Sequence, residues 1–325
     1  DAVRWILGDD LPSPFVEITG ARGKTTTACA LASVMNGPGI LHTSMGTYRF
    51  PANEQIWRKS ITPASMLPAA EEAARINGWL ITEVSLGCTG AGDYGIITSC
   101  EDYLFAGGKR HALVEKVRSA QRMRRLLVAA GVDAPGAIPV ESVAATEGES
   151  CTYGCAGKNG TFDSPLLSLE GYRMPLMLAA AAGCELGGDP GRLSTFPAIP
   201  GRMSESREGD VRIIDNANSG TNALTTRHAA HYARKITGMD EITLVVGQES
   251  GAVCEGFPAG EIMAAVREIC PARLIVVGDT YSGIENNPGY GGIPVFHAGS
   301  LEEGKSIARS MTKRGCIVLS VKCWR

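Results

Sequence analysis

Short β-branched runs alternate along this chain with stretches of helical spacing, and no other feature restricts the fold as much. PFVEIT (14–19), GWLITEVSL (78–86) and GIITS (95–99) read as strands, as do VRIIDNA (211–217), ITLVVG (242–247), ARLIVVGD (272–279), IPVFHAG (293–299) and CIVLSV (316–321). Between the later ones, ALTTRHAAHYARKI (223–236), AGEIMAAVREI (259–269) and LEEGKSIARSMTKR (301–314) repeat their apolar residues at helical intervals. Strands and helices in alternation build a mostly parallel sheet covered by helices, so the class is α/β. With 325 residues, 44% of them hydrophobic, the chain has enough apolar material for two domains. The periodicity breaks at TFPAIPGRMSESREGD (195–210), where prolines, glycines and charges intervene, which puts a boundary near residue 196. The polar, Gly-rich EGESCTYGCAGKNGTFDSP (147–165) reads as a loop or short hairpin.

Charge narrows the partners. Lys and Arg number 31 against 34 Asp and Glu, a net charge of −3, so no global field draws the chain to nucleic acid or to a membrane surface. No apolar run approaches the roughly 20 residues that span a bilayer, and DAVRWILGDD lacks the basic start and cleavage site of a signal peptide. The expected location is the cytoplasm. AVRWIL reads as an uncapped helix ahead of the first strand, and any domain before it is absent from this sequence. Ten scattered cysteines fit reduced, buried thiols in that compartment. The one close pair, Cys151 and Cys155, has no companion histidine or second cysteine pair to complete a tetrahedral metal site.

The chemistry begins in ITGARGKTTTACALASVM (18–35), an apolar strand end that turns through glycines into an alanine-rich helix. Gly20 and Gly23 let backbone N–H groups close on an anion at the helix N-terminus, with Ala21 and Arg22 between them. Lys24 is placed for the β- and γ-phosphates of a nucleotide, and the Thr25 hydroxyl for Mg²⁺, with Thr26 following. The spacing departs from the commonest phosphate loop, since position 18 is Ile and the first glycine comes two residues later. Transfer chemistry also needs an anionic metal ligand at the end of a neighbouring strand. Glu83, closing the apolar run GWLITE, supplies one, because a carboxylate there is costly without a cation or donor.

These residues resemble the Mur ligase family, ATP-dependent enzymes that activate a carboxylate as an acyl phosphate. The family's T-G-x-x-G-K-T-[ST] loop is matched from Thr19 to Thr26 without a gap, ITPAS (61–65) resembles its Thr-Pro segment, and EVSL (83–86) its Mg²⁺-binding glutamate. In EDYLFAGGKRHALVEK (101–116), Asp102 falls where members carry a metal-binding histidine, and Lys116 is in register with a lysine that is often carbamylated. The resemblance therefore implies two Mg²⁺ sites, drawing on Thr25, Glu83, Asp102 and Lys116. For Lys116 the sequence also allows a solvated lysine on the basic helix that continues VRSAQRMRR. PGRMS resembles the family's hinge, with Arg202 as the arginine that meets the nucleotide. In DNANSGTN (215–222), Asp215 and Ala217 match the family while Asn218 and Gly220 replace His and Pro. Asp215 is implied to fix the ribose or the domain orientation, with Asn218 beside it, and it is equally suited to capping the helix that follows. His228 and His231 on that helix read as a solvated face. The implied architecture is a P-loop ATPase domain over 1–196 followed by a Rossmann-like domain over 197–325, without the family's first, sugar-nucleotide domain.

Within the family, EVSLGCTGAGDYGIITS, EDYLFAGGKR, DNANSGTN and VVGQESGAVCEGFP resemble the methanogen branch that makes the nickel tetrapyrrole coenzyme F(430). That likeness implies a tetrapyrrole substrate, with ATP activating a propionate that a ring carbon then attacks, and nickel arriving only within the substrate. The changed residues 218 and 220 agree, since an intramolecular closure needs no pocket for an amine. Two other readings stand beside it: an amide ligase of the same fold, and a nucleotide-binding regulator that signals by domain closure. Retention of Glu83 and of the Lys116 register argues against the regulator. Arg49, Arg58, Lys109 and Arg110 are basic candidates for the substrate's carboxylates.

Overall fold

The computed structural model describes residues 2–8, 11–155, 157–249, 256–278 and 292–324. The chain divides into two compact units, Asp1–Pro197 and Ala198–Arg325.

The first unit is built on an eight-stranded sheet. Its order is Ile138–Pro139, Arg125–Val128, Tyr94–Ile97, Phe15–Thr19, Trp79–Glu83, Gly39–Thr43, Gly46–Phe50 and Glu54–Trp57. Every residue of Phe15–Thr19, Trp79–Glu83 and Tyr94–Ile97 is buried, as strands covered on both faces must be. These three run parallel, so Thr19, Glu83 and Thr98 come to one rim of the sheet. Ligands of open α/β sheets collect at such a rim. The helix Pro63–Arg75 covers one face, its Met66, Ala69, Ala70 and Ala73 packing with Phe15, Ile40 and Leu80. The strands Gly46–Phe50 and Glu54–Trp57 add an antiparallel, partly exposed edge. That edge is not legible in the sequence, because GTYRF and EQIW are short and carry charged and polar side chains.

Of residues 147–165, those described form a hairpin. Ala144–Glu147, Ser150–Cys155 and Lys158–Asp163 pair as a three-stranded antiparallel sheet. One expectation fails here: Cys155 is bonded to Cys184 of the helix Glu170–Glu185. The two cysteines are 29 positions apart, and only the fold makes them neighbours. Cys151 is a free thiol whose burial pushes its pKa up to about 11.

The second unit carries a six-stranded sheet in the order Ser204–Glu208, Val211–Asp215, Gly315–Lys322, Ile242–Gln248, Arg273–Val277 and Val295–Ala298. Only the first pair is antiparallel. The helices Ala223–Thr237 and Ala259–Ile269 cover one face through Ala229, Ala233, Ile262 and Val266, and Leu301–Met311 the other through Leu301 and Ala308. Positions 250–255 of VVGQESGAVCEGFP, Cys254 among them, lie outside the described residues.

Candidate functional site

Strand Phe15–Thr19 ends in the turn that opens helix Lys24–Val34. Gly20 has φ +145°, and a Cβ there would lie 2.2 Å from Thr98 Oγ1. Gly23, the residue before the helix, is left-handed at φ +81°. Both positions therefore need glycine, one for space and both for backbone conformation. No side chain caps this helix, so the task of meeting its first amides is not given to a residue of the turn. The Lys24 ammonium lies back across the loop, donating to the Gly20 carbonyl at 3.1 Å and the Ala21 carbonyl at 3.5 Å. The loop has outside support. Ser99 Oγ accepts from the amides of Ala21 (3.1 Å) and Arg22 (3.2 Å), and Thr98 Oγ1 donates to the carbonyls of Thr19 and Arg22. Arg22 forms an ion pair with Glu101. Burial raises the Glu101 carboxyl, and the hydrogen bonds from Arg22 and Ser99 together with the Arg22 charge outweigh it, leaving the pKa lowered.

Thr25, buried on the first turn of that helix, donates its hydroxyl to Glu83 Oε2 at 2.8 Å. The Ser44 amide donates to the same oxygen at 3.1 Å, and the Ser44 and Thr25 hydroxyls are 3.2 Å apart. Lys24 Nζ stands 3.9 Å from Glu83 Oε1. A hydroxyl, a carboxylate and an ammonium thus meet at the rim. The donors are hard oxygens, which suit Mg²⁺, an ion usually held by one or two carboxylates together with substrate phosphates. Among the described residues no group of three or more His, Cys, Asp or Glu could hold a metal by itself. Close by, His42 is fully buried, with Nε2 directed at the Ser60 carbonyl and Nδ1 facing the Thr47 hydroxyl. Burial lowers its pKa. The buried Glu17 carboxylate accepts from Thr89 and from the Gly92 amide, which fastens the glycine-rich segment after Glu83 to the central strand.

Lys116, on helix Ala112–Ala120, is 3% exposed, which excludes the solvated reading. Its Nζ donates to the Ser85 carbonyl at 2.8 Å and the Tyr103 hydroxyl at 3.2 Å. The lysine therefore reaches the segment that carries Glu83. Asp102 has different company from the one the resemblance implies. Its Oδ1 accepts from the amides of Leu113 (2.8 Å) and Tyr103 (2.9 Å), and its Oδ2 pairs with His111 Nδ1. These partners, the Leu113 amide first, lower its pKa. Both oxygens are committed at the head of the helix, and the oxygen cluster at Glu83 forms without them.

In the second unit, Arg202 precedes the edge strand, and Asp215 ends Val211–Asp215 with Oδ1 accepting from the Ala217 amide at 3.0 Å. Asn218 closes its own turn: its amide nitrogen donates to the Gly201 carbonyl at 2.6 Å, and its oxygen accepts from the Gly220 amide at 2.8 Å. The helix Ala223–Thr237 is capped by Asn222, not by Asp215. Of the basic candidates, Arg49 is held by Glu72 and Glu54, and Arg110 by Glu115, whereas Arg58 and Lys109 are exposed.

Ser44, Thr98 and Ser99 escape the sequence reading. Their signal is positional: each is among the first polar residues after a buried strand whose end reaches the rim.

Three comparisons bear on this arrangement. The family described as coenzyme F430 synthetase CfbE, C-terminal domain, matches residues 205–323. The coenzyme F(430) synthetase of Methanosarcina acetivorans is 30% identical over 366 residues, covering 95% of this chain and 76% of the relative. Among solved structures, the UDP-N-acetylmuramoylalanyl-D-glutamyl-2,6-diaminopimelate–D-alanyl-D-alanyl ligase of Acinetobacter baumannii aligns with a TM-score of 0.68 at 14% identity, over 99% of this chain and 74% of that one. The bifunctional folylpolyglutamate synthase/dihydrofolate synthase of Yersinia pestis aligns with a TM-score of 0.69 at 14% identity, over 99% and 92%. No helix among the described residues is long and apolar enough to cross a membrane.

Proposed function

The chain belongs to the coenzyme F(430) synthetase family of Mur-type ligases, and from that premise we propose that it closes the carbocycle of a nickel tetrapyrrole. It is an ATP-dependent ligase. The carboxylate of the seco acid precursor takes the γ-phosphoryl of ATP, becoming an acyl phosphate, and ADP leaves. A ring carbon of the same molecule then attacks the acyl carbon and loses its proton, and phosphate departs. Holding both reacting groups in one molecule can supply about 7–11 kcal/mol of the barrier as orientation and entropy.

The observation that carries this reading is the meeting of Lys24, Thr25 and Glu83 at the mouth of the glycine turn. Lys24 neutralises the transferring phosphoryl, and the turn's backbone holds the nucleotide's phosphates. Thr25 and Glu83 are the residues to hold Mg²⁺, which when bound screens charge between the phosphates and the incoming carboxylate. Lys116 as a carbamate belongs to the same proposal, supported by its burial and its reach to Ser85, and an added CO₂ in the intact mass tests it. In the second unit, Arg202, Asp215 and Asn218 are assigned to nucleotide binding on the family resemblance.

The test is anaerobic incubation with ATP, Mg²⁺ and the nickel seco precursor, following ADP and the visible spectrum. ADP and a spectral change without any added amine are the expected result. ADP that appears only when an amine is supplied would make the chain an amide ligase instead.

A further inference from the structure

The first unit exposes large apolar side chains unevenly. Of the six among its described residues, Leu86, Tyr103, Leu104 and Val114 belong to one neighbourhood, with exposures of 67%, 36%, 55% and 61%. The contacts between their segments are direct. Leu104 pairs with His111 and Phe105 with Arg110 in a two-stranded hairpin, and the Ala112 amide, two residues before Val114, donates to the Tyr103 carbonyl at 2.9 Å. Leu86 follows Ser85, whose carbonyl accepts from Lys116, and the next residue, Gly87, lies against Ser119 and Lys116 of the same helix. The hairpin tip carries Lys109 and Arg110. From 101 to 125 the chain holds seven Lys and Arg (109, 110, 116, 118, 122, 124, 125) against three acidic residues, Glu101, Asp102 and Glu115, in a protein of net charge −3.

Exposed apolar groups beside a basic hairpin tip mark a binding surface; the carboxylates nearby, Asp102 and Glu115, pair with His111 and Arg110. Its chemistry selects a flat, apolar ligand edged with carboxylates, and its position beside Lys116 and Ser85 puts that ligand next to the Glu83 cluster. We propose that the hairpin Leu104–His111, with Leu86, Tyr103 and Val114 around it, is the seat of the tetrapyrrole. The macrocycle lies on the apolar side chains, and Lys109 and Arg110 take its peripheral carboxylates, Arg110 exchanging Glu115 for the ligand. This assignment rests on the ring-closure reading and adds the surface that holds the substrate.

The probe is the nickel seco precursor, titrated anaerobically into the full chain by visible absorbance, with MgADP affinity measured in parallel. Leu104→Glu and the double variant Lys109→Glu, Arg110→Glu are each expected to weaken precursor binding about tenfold or more, leaving MgADP affinity unchanged. All three positions are exposed, and retained MgADP binding reports a folded first unit. If the parent binds the precursor and both variants bind it as tightly, the seat lies elsewhere and the ring-closure reading stands. Variants that alter sedimentation but not precursor affinity would make the patch a contact between copies, which also overturns the proposal. A parent that binds no nickel tetrapyrrole overturns both.

Discussion

Two strand-to-helix turns carry much of this chain's polar chemistry, and they begin their helices in opposite ways. After Val211–Asp215, Asn222 and Thr225 form a reciprocal capping box, so the chain's own side chains meet the amides of Ala223–Thr237. After Phe15–Thr19, a left-handed glycine precedes Lys24–Val34, no side chain caps it, and an ammonium lies over the turn. A helix closed by its own residues gains stability. One left without such a cap offers its positive end to an anion, and the same local geometry then serves a ligand.

That contrast can be broken by substitution. Lys24→Ala carries the largest expected effect, a loss of ATP-dependent ADP release of about a hundred- to a thousandfold, read in a steady-state assay. Gly20→Ala forces a methyl against Thr98, and denaturant unfolding should show a loss of about 1–3 kcal/mol, with nucleotide binding lost as well. Ser99→Ala strips the shared acceptor from two loop amides and should weaken ADP binding about tenfold, by calorimetry, with the unfolding midpoint moved less than in Gly20→Ala. Asn222→Ala should cost about 1 kcal/mol of stability, and ADP release at saturating ATP should keep the parent's rate. If Asn222→Ala silences the enzyme while Lys24→Ala does not, the roles given to the two turns are reversed.

The parts legible from sequence are those in which one residue type has one physical use. Gly-x-x-Gly-Lys-Thr after an apolar strand can hardly be anything but an anion turn, and a glutamate closing such a strand announces a partner. Lys116 shows the limit. On a basic helix it looks like its neighbours, and only the packing of that helix against Ser85 and Tyr103 separates it from Arg118. Asp102 shows a second limit: its position in a motif fixes its place in the chain, but the partners come from the hairpin that brings His111 back to it. The Cys155–Cys184 bond depends on long-range pairing that no local pattern records, whereas the edge strands Gly46–Phe50 and Glu54–Trp57 pair locally but are too short and too polar to read as strands.

Ser99 lies two residues past the end of the strand next to the one that leads into the loop, yet it fixes two of the loop's amides. The loop is thereby shaped by a neighbour in the sheet and not by its guest. A receptor finished in advance has little ordering left to do on encounter, so capture of the nucleotide should be a single fast step whose rate follows its concentration linearly.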